Sequence, residues 1–263
     1  MSDTALMPTL FLSHGSPMLA VEDSPAGRFL EALAPRLPRP RAVVVASAHF
    51  AAAPVLVGAA AWPATIHDFG RFPDALFRIQ YPAPGHPALA EDIARQLIAA
   101  GIAASAWPDQ GLDHGVWVPL RRIFPDADIP VVPLSVNPRA DARTHFALGQ
   151  ALASLRRDGV LVVGSGGFVH NLGDLVWTER DAPMPEWATA FADWMRARLA
   201  DGDLTALLDW ARRAPEAHRA HPTVEHLLPL FVALGAAGDR PRVETLHRSH
   251  EFGSLALDAF AFH

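Results

Sequence analysis

Thirteen histidines stand in a chain that has neither a cysteine nor a lysine. The two absences narrow the chemistry. Without Cys there is no disulfide, no thiolate zinc site, no iron–sulfur cluster and no thiol nucleophile. Without Lys there is no Schiff-base amine and no P-loop phosphate clamp. A metal centre in this chain must use His, Asp and Glu. Three histidines share a context: His14 follows the apolar run 10–13, His49 the β-branched run 43–48, and His170 the run 160–163 with Gly164-Ser165-Gly166-Gly167 read as a turn. In a parallel sheet the C-terminal strand ends lie on one edge, where open α/β sheets bind ligands, so these three can converge. Each also has small neighbours (Gly15-Ser16, Ser47-Ala48, the glycine-rich stretch), which let backbone and ligand approach closely.

A fourth candidate is His226, in His221-Pro222-Thr223-Val224-Glu225-His226. Pro222 predicts a helix start, with the helix over 222–234 and Gly235 closing it. Its apolar stripe would be Val224, Leu227, Leu228, Phe231 and Leu234, which leaves His226 off the stripe. The His221–His226 spacing and the place of Glu225 do not fit HExxH, so a zincin is excluded. Gly164-Ser165-Gly166-Gly167 does not fit GxSxG, so no nucleophile elbow is indicated. His67-Asp68-Phe69-Gly70 and Asp113-His114-Gly115 read as loops whose histidines either reach a pocket or sit in Asp-stabilised turns. His86, His145, His218, His247, His250 and His263 read as surface or structural.

The elements that must position these residues alternate along the chain. Strands are predicted over 9–13, 41–48, 129–136 and 160–163, with one or two more in the tail 243–262. Ser24-Pro25 caps a predicted helix reaching about residue 36. Further helices are expected over 86–100 (Leu89, Ile93, Leu97 and Ile98 inward, Gly101 behind), 141–157 up to Gly159, 187–199 and 204–213. This alternation predicts an α/β fold, a single domain over 1–263 with a mostly parallel central sheet flanked by helices. The 24 prolines fall mostly in connections, the usual seat of binding groups.

Composition excludes other classes. Half of the 263 residues are hydrophobic and 19% are charged, as in a globular protein. A net charge of -6 gives no footprint for nucleic acid and no polybasic membrane patch. The most apolar stretch, 42–66, is broken by His49, Pro54 and Pro63 and does not read as a membrane span. Residues 1–8 lack the pattern of a secretory signal, so the expected location is cytoplasmic.

Seven stretches carry a resemblance: FLSHGSPM at 11–18, ASAHF at 46–50, TIHDFGRFP at 65–73, YPAPG at 81–85, LDHGVW at 112–117, GSGGFVHNL at 164–172 and HPTVEHLLPL at 221–230. In this order, over nearly the whole chain, they resemble the class III extradiol ring-cleavage dioxygenases, in particular the 4,5-DOPA dioxygenase-type branch. The resemblance implies that His14, His49 and His226 hold one divalent metal, Fe(II) for activity or Zn(II) as found. It implies that His170 stands beside the metal as acid/base, close enough to count as a fourth ligand, and that His114 lines the substrate pocket. Other branches use two His and a Glu, so Glu225 is the alternative third ligand. The implied activity opens the ring of a DOPA-like catechol and incorporates both atoms of O2.

The chemistry fits these roles. Three protein ligands leave positions for a catechol and O2. The cation eases catechol deprotonation. A histidine at its ordinary pKa of about 6.5 could take the second phenolic proton and return one later. The partners expected are therefore a small catechol and O2, with no nucleic acid or membrane and no signal for oligomeric state. Two other readings stay open: a zinc-dependent hydrolase on the same ligands, and a non-catalytic Memo-like binding protein.

Overall fold

The computed structural model describes residues 6–263. The reading of residues 1–8 as free of a signal falls mostly outside that range. The strands are β1 (Thr9–Ser13), β2 (Ala42–Ala51), β3 (Val55–Gly58), β4 (Ala104–Trp107), β5 (Val131–Val136), β6 (Val160–Gly166), β7 (Val243–His247), β8 (His250–Glu251), β9 (Leu255–Ala256) and β10 (Ala259–Phe262). Eight of them form one sheet in the order β4-β3-β5-β2-β6-β1-β10-β7, and β8 with β9 makes a small ladder. The centre β5-β2-β6-β1 is parallel. At one side β3 and β4 join antiparallel to β5. At the other, β10 runs antiparallel between β1 and β7.

The central strands are buried on both faces, as their near-continuous apolar runs require. The helices are α1 (Pro25–Glu31), α2 (Asp74–Phe77), α3 (Pro87–Ala99), α4 (His114–Ile123), α5 (Ala142–Ala151), α6 (Glu186–Asp201), α7 (Leu204–Leu208), α8 (Trp210–Arg213), α9 (Ala217–Ala220) and α10 (Leu228–Ala236). Leu10, Leu12, Val43, Val45 and Val163 pack on one side with Leu30 of α1 and Trp117 of α4. Val44, Val132 and Val162 face the other way, onto α3, α5 and α10. Phe11 and Phe260 pack there with Phe191 of α6. The expected α/β domain with helices on both faces of a mostly parallel sheet is what forms.

Several boundaries differ from the sequence reading. The helix over 25–36 ends at Glu31 and resumes as a 3-10 turn at Ala34–Arg36. Pro35 lacks an N–H and disfavours helix at the residue before it. The 141–157 helix likewise gives way to a 3-10 segment at Ala153–Asp158, and 204–213 splits into α7 and α8. Ile98 is 57% exposed, outside the buried face of α3. The four-residue strands β3 and β4 and the helix α4 were not read from the sequence. Their patterns are short, and α4 carries Pro119 in its interior.

Three differences bear on function. β2 runs on to Ala51, so His49 lies inside the strand, where register against β5 shifts between Ser47 and Ala51. β6 runs to Gly166, so Gly164 to Gly166 are strand and not turn. The predicted helix over 222–234 begins only at Leu228, with Pro229 in its first turn and Gly235 inside it. His226 therefore lies in irregular chain before α10. No apolar stripe sorts that helix, because every residue from Leu228 to Ala236 is buried.

Candidate metal centre

Four segments deliver histidines to the C-terminal edge of the parallel strands. His14 leaves β1, its backbone N–H bonded to Gly166 O at 3.0 Å. His49 comes from the irregular end of β2. His226 is held against β6, because Gly167 N–H donates to its carbonyl at 2.8 Å. Only glycine allows that approach: a Cβ at Gly166 would lie 2.0 Å from His226 O, and one at Gly164 2.1 Å from Pro229 O. The glycine-rich stretch is thus a strand surface for α10 and the segment before it. His170 follows β6, anchored by its N–H to Ala220 O at 3.0 Å.

The ring nitrogens of His14, His49 and His226 converge, one atom from each lying within 4.8 Å of the others. His14 and His49 face each other through Nε2 at 3.0 Å. Ser165 fixes the His14 tautomer. Its only hydroxyl proton goes to Gly115 O, so Oγ accepts from His14 Nδ1, 3.0 Å away. The Nε2 of His14 is then bare. His226 Nδ1 lies 3.1 Å from Glu225 Oε1, while its Nε2 is buried with no hydrogen-bond partner among the described residues.

Burial, with the neighbouring imidazoles, lowers His14 well below its ordinary pKa and His49 to about 3. Burial also lowers His226, against the pull of Glu225. Neutral imidazoles with bare, inward nitrogens are the form that binds a divalent cation. The residues fit a metal: three neutral imidazoles converge, and the His226 Nε2 among them has no hydrogen-bond partner among the described residues.

His170 stacks flat on His226, ring centroids 3.4 Å apart and planes 7° from parallel. Burial, then His226, lowers its pKa to about 2. Burial thus favours the neutral imidazole, the form with a lone pair free to accept a proton. His114 is not a loop residue but the first residue of α4, 6% exposed. Its ring lies 3.9 Å from that of His49. Its Nδ1 is 3.0 Å from Asp68 Oδ2, an ion-pair distance with poor hydrogen-bond alignment. Burial raises Asp68, but contacts with His114 outweigh that and hold it below the usual carboxylate range.

A cavity of about 260 Å³ opens over the cluster. His14, His49, His114, His170 and His226 all line it. Its other walls are mainly apolar, with Phe69, Phe72, Trp177 and Phe252 presenting aromatic faces or edges. The five histidines singled out from sequence thus meet in one place. His67 does not reach it, since its Nε2 meets Ile79 O at 3.0 Å within an aromatic cluster. Glu225 contributes no atom to the converging set; it also accepts from Thr223 Oγ1 at 2.8 Å. Ser165, Asp68 and the aromatic walls were missed as site residues. Asp68 and Phe69 stand beside His67 in the sequence, but nothing in it said which way they face.

Comparison with known proteins agrees with this geometry. Residues 8–257 match the family model described as the catalytic LigB subunit of aromatic ring-opening dioxygenase. The chain is 42% identical to the 4,5-DOPA dioxygenase extradiol of Escherichia coli K12, covering 95% of this chain and 93% of that one. It is 39% identical to the 4,5-DOPA dioxygenase extradiol of Beta vulgaris, covering 99% and 98%. An uncharacterized E. coli K12 protein of known crystal structure superposes with a TM-score of 0.82 at 36% identity, covering 98% of this chain and 100% of that chain. With a mostly parallel sheet, histidines gathered at its C-terminal edge and a match over nearly its whole length, this chain belongs to the LigB family of aromatic ring-opening dioxygenases.

Proposed function

We propose that this extradiol dioxygenase binds one divalent metal through His14, His49 and His226 and opens the ring of a DOPA-like catechol, with His170 as the proton carrier. The observation that carries the reading is the orphaned Nε2 of His226, buried among the nitrogens of His14 and His49. When bound, the cation would supply Lewis acidity to the catechol hydroxyls and a path for electrons from ring to O2. Fe(II) suits that redox task, and Zn(II) fits the same imidazoles without it.

The chain's own residues do the rest. His170 offers a neutral lone pair to the phenolic O–H and can hand the proton back to the opening ring. Its stacking on His226 keeps that nitrogen beside the metal ligands. Phe69, Phe72, Trp177 and Phe252 cover the ring and exclude water. His114, edge-on to Phe69 at 5.7 Å, lines the floor where the catechol hydroxyls would lie.

Among the described residues no helix is long and apolar enough to cross a membrane. The same reading takes the cytoplasm as the working compartment, which cell fractionation tests. The activity is tested by oxygen uptake over a catechol panel, with the metal-stripped chain reloaded anaerobically with ferrous iron. Uptake that needs both catechol and iron is expected. A zinc-loaded chain that hydrolyses esters, or one that binds catechols without turnover, would favour the hydrolase or the Memo-like binding protein instead.

A further inference from the structure

Asp68 lies on the loop between β3 and α2. Its Oδ1 accepts the backbone N–H of His114 at 2.9 Å. Its Oδ2 is 3.0 Å from His114 Nδ1, poorly aligned for a hydrogen bond, and 3.5 Å from His49 Nδ1, so it faces both rings chiefly as a negative charge. One carboxylate thus faces three nitrogens. A carboxylate only accepts, so it favours the tautomers in which both Nδ1 atoms carry the proton. For His49 this leaves bare the Nε2 that meets His14 Nε2 at 3.0 Å.

We propose that Asp68 is a positioning residue that holds His49 and His114 in their Nδ1–H tautomers and so aims the His49 Nε2 lone pair into the metal centre. The inference rests on the metal site proposed above. It makes a counter-intuitive demand. In Asp68→Asn the amide oxygen must stay on the His114 N–H, because an amide NH2 cannot accept. The NH2 then faces both Nδ1 atoms as a donor. It favours the opposite tautomer and turns Nε2–H of His49 toward the centre. In Asp68→Ala nothing dictates the tautomer, and the ring can take either. The near-isosteric Asn should therefore bind metal worse than Ala, an order that a merely structural role would reverse.

The test is zinc affinity of the metal-stripped full chain, by chelator competition, for the parent, Asp68→Asn, Asp68→Ala and His49→Ala. Nitrogen NMR of labelled histidine reads the tautomers directly in the same samples. The metal-free melting midpoint reads separately the stability lost with the bond from His114 N–H to Oδ1, so that loss is not mistaken for a loss of metal affinity. The expected order is parent, then Ala, then Asn, with Asn weaker by about 10–100-fold, the usual cost of losing a ligand's outer partner. Asn within about threefold of the parent would overturn the proposal, as would Ala binding no better than Asn. If His49→Ala keeps the parent's affinity, the metal-site assignment itself fails, and that is seen independently of either Asp68 variant.

Discussion

His226 divides its two ring nitrogens between Glu225 and the histidine cluster: Nδ1 lies 3.1 Å from the Glu225 carboxylate, and Nε2 is buried toward His14 and His49 with no hydrogen-bond partner among the described residues. Contacts with His226 and Thr223 hold Glu225 down to about 2 although burial opposes them, so it stays ionised as the acceptor of that N–H. His226→Ala should abolish tight metal binding. Glu225→Ala should weaken it by about 10–100-fold, as for an outer partner. Metal content after dialysis against a chelator series checks this. A chain emptied by Glu225→Ala but not by His226→Ala would make the carboxylate the third ligand.

His14 and His49 should behave as ligands too. Either one changed to Ala should lower metal occupancy severely and leave the far-UV spectrum unchanged. Ser165→Ala removes the acceptor of His14 Nδ1–H and should give a smaller loss of about tenfold. Normal metal content in both histidine variants would disprove the site.

His170 should separate binding from chemistry. His170→Gln or His170→Ala should keep much of the metal and still bind a catechol. Turnover should fall by about 10²–10⁴-fold, the usual contribution of a positioned base. Single-turnover kinetics under saturating ferrous iron reads this. Equal turnover would remove His170 from the chemistry. Loss of metal would make it a fourth ligand, with His114 the next proton carrier to test.

Gly166 should matter for both stability and metal. In Gly166→Ala the new Cβ would sit 2.0 Å from His226 O, so the segment before α10 must move. Overpacking of this kind costs about 1–3 kcal/mol. Denaturant unfolding of the metal-free chain should show that loss, and zinc affinity should fall with it. Gly101→Ala, whose Cβ would meet nothing within 4 Å, should leave the metal untouched, although its φ of +81° strains the backbone.

What the sequence made legible follows from period and position. The central strands were readable because burial on both faces leaves long β-branched runs. Placing His14, His49 and His170 at strand ends predicted that they would meet. The errors came where tertiary packing replaces local pattern. α10 is apolar all round, so its stripe carried no phase, and Pro222 was taken for the start that Pro229 makes. Gly164 and Gly166 look like a turn, yet they are strand residues whose missing side chains let α10 and His226 approach. Asp68 meets the backbone of His114, 46 residues away in sequence, and Ser165 meets His14, 151 residues away, so no local pattern shows them.

An extradiol dioxygenase opens the catechol ring and places both atoms of O2 in the product. The most direct measurement is mass spectrometry of the product formed by the ferrous-loaded chain under heavy-isotope O2. The expected product is ring-opened, cleaved beside the two hydroxyls, with one labelled atom at each new carbonyl or carboxyl carbon before exchange with water. An unlabelled product, a single labelled atom in an intact ring, or cleavage between the two hydroxyls would contradict it.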